Sequence, residues 1–306
     1  MKSNWPKLSY SVAKETYETL HLFTQIAGKV KLKKMPWINH SWHVTLLISP
    51  KGLTTSYISD NDKIFQIEFN FIEHQMEVMC DNGQNRSFKL TGLSVADFYF
   101  KLMEALKELH LHVKINTVPN ELIDPIPFEK DYTHSTYEPK YVEAFHKALI
   151  NVQNVLMDFR AGFKGKCSPI HFFWGSFDLA FSMFSGREAP KHPGGIPNLP
   201  DWVAQEAYSN EVYSCGFWPG SEILPEAAFY SYIYPEPEGF MNRKVSPEEA
   251  YYHKDLREFI LPYEFVRQSS DPAKSLRSFL HSTYKGAVEL AEWDRISLEK
   301  QSLSND

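Results

Sequence analysis

The sequence lacks the features that mark several large classes of protein. Its three cysteines, Cys80, Cys167 and Cys215, are odd in number and contain no CxxC pair, so we expect neither a disulfide framework nor a cysteine zinc site. No run approaches the ~20 apolar residues of a membrane span, and the N-terminal segment lacks the apolar core of a signal peptide. These absences favour a soluble protein of the reducing cytoplasm, with no membrane partner.

A basic surface is also missing. Asp and Glu residues outnumber Lys and Arg residues by 38 to 32, whereas a nucleic-acid surface needs a clustered basic excess. The run "KVKLKK" at 29–34 is short and typical of a solvated helix end. There is no P-loop or GxGxxG, and "WGSFD" lacks the second glycine of GxSxG. We expect no nucleic-acid partner, and the sequence assigns neither a cofactor nor an oligomeric state.

What the chain does contain is a regular order of helices and strands. In the first half, an amphipathic helix begins near Val12 and is expected to end at Gly28. Strands follow over 42–49 and a return strand, then over "KIFQIEFNFI", "MEVMC" and "RSFKL", with "DNGQN" as a hairpin turn. Ser94 caps a second helix that ends near His110, and "HVKIN" predicts one more strand.

The same order of elements returns after a proline-rich connection. A helix over 139–163 leads into "GFKGKCSPIHFFWGSFDLAFSMFSG", which parallels "GKVKLKKMPWINHSWHVTLLISPKG" in its Gly and Lys, its Pro before a His-containing strand and its closing Ser/Gly turn. Strands over "NEVYSCGFW" and "AFYSYIYPEP" and a helix over 271–293 follow. We predict an α+β fold of two similar halves, each an antiparallel β-meander flanked by long helices, related by tandem duplication and a pseudo-twofold.

This organisation sets the expected boundaries. The first half spans 1–118, the connection 119–138, and the second half 139–306 with long loop insertions. If the duplication is real, the two sheets should be joined or should face each other. Long insertions are where binding sites and lids commonly lie.

The stretch from His171 to Ser182 holds the main candidate site. As one strand, it would place Trp174, Ser176 and Asp178 on one face and His171 on the other. As a helix, His171, Trp174 and Asp178 would align. Aspartate is rarely buried without a partner, so Asp178 either pairs with a donor such as Arg160 or Arg187 or faces a wet cavity.

Two residues of this stretch are the candidate catalytic pair. A histidine near a carboxylate can act as a general base, which would assign that role to His171 beside Asp178; the alternative is a structural, hydrogen-bonded histidine. His43 occupies the corresponding place in the first half, and the alternation of Tyr230, Tyr232 and Tyr234 predicts one aromatic face. The candidate ligand-binding residues are His43, Trp174, Ser176, Arg187, Glu211, Trp218, Tyr230 and Tyr232.

A bound metal is not expected. His40 and His43 in "NHSWH" would point to opposite faces of a strand, although on a turn they could bind one ion, and neither HExxH nor CxxC occurs.

Long strings throughout the chain resemble a bacterial family, the domain of unknown function 5996. The matching strings are "LFTQIAGKV", "NHSWHV", "GLTTS", "DPIPF", "GKCSPIHFFWGSFDLA", "FSGR", "GFWPG", "FYSYIYPEPEGF", "LPYE" and "AEWDR", from Leu22 to Arg295. The string around His171 is the most distinctive of them. The resemblance implies no activity, no cofactor and no site residue.

Three functions agree with these patterns. The first is a small-molecule enzyme with His171 and Asp178 in an aromatic-lined pocket of the second half. The second is a non-catalytic small-ligand-binding protein that uses the same cavity, and the third is a structural or protein-interaction protein. An enzyme requires His171 close to an acid or to a substrate-sized void, whereas an interaction protein requires an exposed apolar patch.

Overall fold

Helices and antiparallel strands follow one another in two successive sets. The structure, a computed structural model, describes residues 4–300. The helices are α1 (Tyr10–Lys34), α2 (Val95–Glu108), α3 (Pro139–Ala161), α4 (Asp201–Ala207), α5 (Tyr263–Gln268), α6 (Pro272–Leu290) and α7 (Arg295–Leu298). The strands are β1 (Leu47–Ile48), β2 (Gly52–Asp60), β3 (Lys63–Asn70), β4 (Gln75–Cys80), β5 (Asn85–Lys89), β6 (His171–Phe173), β7 (Asp178–Glu188), β8 (Asn210–Trp218), β9 (Ala228–Tyr234), β10 (Tyr251–His253) and β11 (Glu258–Pro262).

The first set forms a five-stranded meander, in the order β1-β2-β3-β4-β5. Alternation along β3 buries Phe65, Ile67 and Phe69 beneath the helices α1 and α2. The second helix begins as predicted, because Ser94 accepts from the backbone of Asp97 while the Asp97 carboxylate accepts from the backbone of Ser94.

The second set forms a six-stranded sheet in the order β10-β11-β9-β8-β7-β6. Strands β6 to β9 run as a meander, and the β10–β11 hairpin adds to it through β11. One face of this sheet carries large apolar side chains and packs on α3, α5 and α6. These side chains include Phe181, Tyr213, Phe217 and Phe259.

The two sheets meet at their equivalent edges. Leu46 and Phe172 exchange backbone hydrogen bonds of 2.9 and 2.8 Å, beside β1 on one side and within β6 on the other. An antiparallel pair that exchanges both bonds has a local twofold axis between its residues. The predicted α+β fold with two antiparallel sheets flanked by helices is therefore confirmed, and a tandem duplication is plausible.

Several predicted element boundaries are wrong. Helix α1 continues through Gly28 to Lys34. Gly28 is not a stop signal here, because its missing Cβ lets the indole ring of Trp174 pack against the helix backbone. Residues 39–45 form a 3-10 helix and turns instead of a strand, and residues 111–116 contain no strand. The stretch from His171 onward is neither one strand nor a helix, since it forms β6, a turn and β7.

The hydrophobic core does not divide between the two sets. One connected cluster of buried apolar residues includes Phe23 and Phe69 from the first and Phe145 and Phe217 from the second. Among the helices of residues 4–300, none combines the length and hydropathy needed to cross a lipid bilayer.

Candidate functional site

A tight hairpin turn sets the geometry of the site. Strand β6 ends at Phe173 and β7 begins at Asp178, with residues 174–177 between them and Phe177 at φ 58°. The register pairs Phe173 with Asp178 and His171 with Ala180. Residues paired across a sheet point to the same face, so the hairpin places His171 and Asp178 on one face, whereas a single strand would have separated them.

Helix α1 and the turn that precedes β1 hold this hairpin turn in place. The indole N–H of Trp174 donates to the carbonyl of Val44 at 2.9 Å, and Nε2 of His21 donates to the carbonyl of Gly175 at 2.8 Å. The turn thus depends on contacts with residues more than a hundred positions earlier in the chain. Those contacts fix where Ser176 and Asp178 lie.

A cavity of about 830 Å³ lies over the face of the second sheet that carries Asp178. Its cover is the insertion between β7 and β8, which is closed at its base by the hydrogen bond from Ala189 N to Ser209 O. This cover is tied to the proline-rich connection, since Glu121 N donates to Pro197 O and Asn198 Nδ2 donates to Leu122 O. Aromatic side chains form much of the wall: Trp37, Phe173, Trp174, Trp202, Tyr208, Trp218, Tyr230, Tyr232 and Tyr234.

Asp178 lies on the floor of the cavity and is held by two hydroxyl groups. Ser176 Oγ donates to one carboxylate oxygen and the Tyr230 hydroxyl donates to the other. Tyr230 reaches across β8 because Gly216 leaves room; a Cβ there would lie 2.5 Å from the tyrosine hydroxyl. Burial raises the pKa of Asp178 to about 6, against the opposing effect of these hydrogen bonds.

Two glutamates join Asp178 in the cavity wall. Glu121 comes from the proline-rich connection at φ 62°, and its carboxylate lies against Gly175, where a Cβ would be 1.9 Å from Oε1. Glu258 begins β11, and its Oε2 is buried without a hydrogen-bond partner among the described residues. Burial, and after it the charge of Asp178, raises the pKa of Glu121 to about 7 and that of Glu258 to about 8.

The other polar groups of the wall are neutral or already paired. Glu236 accepts from Arg257 at 2.9 Å, and the hydroxyls of Tyr208 and Tyr232 lie 2.8 Å apart. His40 and His192 also line the cavity, and burial lowers the pKa of each. The site can therefore supply carboxyl groups in two protonation states, phenol donors and aromatic faces.

His171 does not join this group. Its side chain is fully buried and does not line the cavity, and neither ring nitrogen has a hydrogen-bond partner within residues 4–300. The ring packs edge-on against Phe173 at 4.5 Å between centroids, and burial lowers its pKa to about 3. The structure thus forms no His171–Asp178 hydrogen bond, and the alternative of a hydrogen-bonded structural histidine is not observed either.

The remaining candidate residues divide into two groups. Trp174, Ser176, Trp218, Tyr230 and Tyr232 line the cavity. His43, Arg187 and Glu211 lie outside it. His43 is buried with Nδ1 near the backbone of Ile38, and Arg187 pairs with Glu211 at 2.7 Å. Neither expected arginine reaches Asp178, since Arg187 also binds the end of α6 and Arg160 donates to the carbonyl of Ser168.

Sequence reasoning missed Glu121, Glu258 and Tyr208 as cavity residues. Glu121 lies in a connection without periodicity, and Glu258 joins the site only because the β10–β11 hairpin adds to β9. The proline-rich composition of both segments was the available signal, because it marks long insertions. Within residues 4–300, no three His, Cys, Asp or Glu side chains are arranged to hold a metal ion.

Comparison with known proteins places the chain in a family. No curated protein and no solved structure matches it. A family model described as "Family of unknown function (DUF5996)" matches residues 5–300. That match covers nearly the whole chain, so the protein belongs to the DUF5996 family.

Proposed function

We propose that this protein is a small-molecule enzyme of the cytoplasm and that the cavity over the second sheet is its active site. The observation that carries the proposal is the meeting of Asp178 with Glu121 and Glu258 in an aromatic cavity of substrate size. Two carboxyl groups whose environments separate their pKa values can serve as base and acid in one reaction. His171 has no role in it, because its ring does not reach the cavity.

The protonation states assign the roles. At neutral pH, Asp178, with a pKa of about 6, is mainly the carboxylate and is the proton acceptor. Glu258, with a pKa of about 8, is mainly the carboxylic acid and is the proton donor. The hydroxyls of Ser176 and Tyr230 fix the orientation of Asp178, which leaves its remaining lone pairs for a substrate proton.

A second candidate is a binding protein without catalysis. Both oxygens of Asp178 already accept hydrogen bonds, which is what a purely structural carboxylate would show. In that case the cavity would hold a ligand unchanged.

Loss of substrate from a metabolite mixture separates the two candidates. The purified protein is incubated with a metabolite library, and each compound is quantified by mass spectrometry before and after. We expect at least one compound to be consumed by the wild type, and its consumption to be lost in Asp178→Asn and Glu258→Gln but kept in Glu211→Gln, a half-buried carboxylate outside the cavity that pairs with Arg187. A compound that stabilises the protein and is never consumed would overturn the enzyme and support the binding protein.

A further inference from the structure

The charge of the cavity wall indicates what kind of molecule it receives, an inference that rests on the proposed function. We propose that the cavity takes an organic cation, an amine or quaternary ammonium group on an apolar body, and that Asp178, Glu121 and Glu258 receive the positive charge. The charge balance, an unpaired buried oxygen and the aromatic walls each support this ligand class.

The wall carries more acid than base. Its carboxyl groups are Glu121, Asp178, Glu236 and Glu258, and no lysine of the described chain lines the cavity. Arg257, with a side chain that is 69% exposed, already pairs with Glu236 at 2.9 Å. Within residues 4–300, Glu121, Asp178 and Glu258 form no ion pair, so a cationic group on a ligand would be their first counter-charge.

One of these carboxyl groups also lacks a hydrogen-bond donor. Oε2 of Glu258 is buried and accepts no hydrogen bond from the described residues. A buried acceptor without a donor destabilises the fold, and it does so more strongly if it is charged. An ammonium group has up to three N–H donors and would satisfy both the charge and the vacant acceptor.

The aromatic walls suit a cation and an apolar body together. Trp218 and Tyr230 have ring centroids 4.7 Å apart, and Tyr230 stacks on Tyr232 at 6.2 Å. Faces of tryptophan and tyrosine attract a cation and also pack against carbon. An anionic ligand would instead lie among three carboxyl groups and the electron-rich ring faces.

A cation would change the protonation of the wall. Burial, and after it the charge of Asp178, raises the pKa values of Glu121 and Glu258 above those of free glutamate, and a positive charge beside them lowers the pKa again. Binding near pH 7 should therefore release protons to the solvent, mainly from Glu121, whose pKa of about 7 lies nearest the assay pH, while Glu258, at about 8, keeps more of its proton as the donor. The other titratable or charged groups of the cavity wall are Asp178, the hydroxyls of Tyr208, Tyr230 and Tyr232, the Glu236–Arg257 ion pair and the histidines His40 and His192, whose pKa values burial lowers.

Three near-isosteric probes test the ligand class on the intact protein. Tyramine, tyrosol and 4-hydroxyphenylacetate share a phenol ring and differ mainly in the charge of the side arm, which is positive, neutral and negative. Titration calorimetry near pH 7 gives each affinity, and repetition in buffers of different ionisation enthalpy gives the number of protons released. We expect tyramine to bind at least about tenfold tighter than tyrosol, 4-hydroxyphenylacetate to bind weakest, and tyramine alone to release protons.

Matched variants show which carboxyl groups cause the preference for tyramine over tyrosol. Glu258→Gln and Glu121→Gln should each reduce the preference for tyramine over tyrosol, whereas Glu211→Gln should leave it unchanged. Thermal unfolding checks that each variant folds. If one does not, the affinities of the three probes for the wild type still decide the ligand class. Tighter or equal binding of tyrosol or of 4-hydroxyphenylacetate would overturn the cation but leave the enzyme proposal standing. Failure of all three probes to bind would also overturn the cation on an apolar body as the ligand class, while the metabolite-consumption assay would still test the enzyme.

Discussion

At the scale of single residues, the buried carboxyl groups of the cavity control how the stability of the protein changes with pH. Burial raises the pKa of Asp178, Glu121 and Glu258 in the folded protein above their values in the unfolded chain. The folded state therefore holds these protons more tightly, and the stability that they contribute at acid pH is lost as the pH rises through the folded pKa values. For Glu258, the window runs from about 4.5 to about 8.

The first expected outcome concerns Glu258→Gln. The amide keeps the size of the side chain but cannot ionise, so the variant should be more stable than the wild type at pH 8 by roughly 4 kcal/mol. At pH 4.5 the two should be nearly equal, because Glu258 is protonated in the folded state. Denaturant unfolding at both pH values measures the difference. Equal differences at the two pH values would show that Glu258 is ionised and solvated in the cavity.

His171 changes the stability of the protein with pH in the opposite direction. Burial lowers its pKa to about 3, so its unfolded form binds the proton more tightly, and the free energy of unfolding falls as the pH drops below about 6.5. Both ring nitrogens are buried without partners, so replacement by a hydrocarbon ring of similar shape removes a cost without opening a cavity.

We therefore expect His171→Phe to fold and to gain more stability at pH 5 than at pH 8. Ligand binding and metabolite consumption should stay within about twofold of the wild type, a change of under 1 kcal/mol. Urea unfolding at the two pH values and the consumption assay are the measurements. Loss of consumption in a stable His171→Phe protein would restore His171 to the catalytic group.

At the scale of elements, one hairpin joins the core to the cavity. Its turn packs Trp174 against α1 on one side and presents Ser176 and Asp178 to the cavity on the other. Gly28 makes this contact possible, since a Cβ there would lie 2.3 Å from the indole ring. A glycine within a helix often marks such a close approach, which explains why the helix does not end where its sequence indicated.

Gly28→Ala is expected to destabilise the protein by about 1–3 kcal/mol through overpacking, despite the higher helix propensity of alanine. It should also displace the turn and so weaken ligand binding. Gly162→Ala is the matched control, because a Cβ there meets only the carbonyl of Phe159, at 3.5 Å. Chemical denaturation of both variants checks the pair, and a Gly28→Ala protein as stable as the control would contradict the packing described.

The elements that the sequence predicted well are those with their own periodicity. The cap at Ser94, the helix that begins at Pro139 and the strand face of Tyr230, Tyr232 and Tyr234 all follow from local alternation or capping. The turn at residues 174–177 does not, because its form depends on Gly28 and Val44, which are distant in sequence. Glu121 and Glu258 were missed for the same reason.

At the scale of the whole molecule, the cavity belongs to both halves of the chain. Its floor is the second sheet, but its walls include Trp37 and His40 from the first half and Glu121 from the connection. The boundaries at 118 and 139 remain a proposal about the origin of the fold. They do not separate two functional units, because the second half alone would lack part of the wall.

The arrangement of the whole molecule also explains why the enzyme proposal does not depend on His171, the candidate base of the sequence analysis. His43 occupies the place in the first half that corresponds to His171, yet both histidines lie buried outside the cavity. Asp178 instead meets glutamates from distant segments. A ligand held by these groups should link the sheet, the connection and the insertion over the cavity. Its binding should therefore raise the thermal stability of the intact chain.

The most direct test is the thermal shift produced by a metabolite screen on the wild type, Asp178→Asn, Glu258→Gln and Glu211→Gln, the control outside the cavity. A metabolite that stabilises the wild type should stabilise Glu211→Gln equally and should lose most of its effect in both cavity variants. A metabolite whose stabilisation survives Asp178→Asn and Glu258→Gln unchanged would show that the ligand binds elsewhere and that the cavity carboxyl groups are not its site.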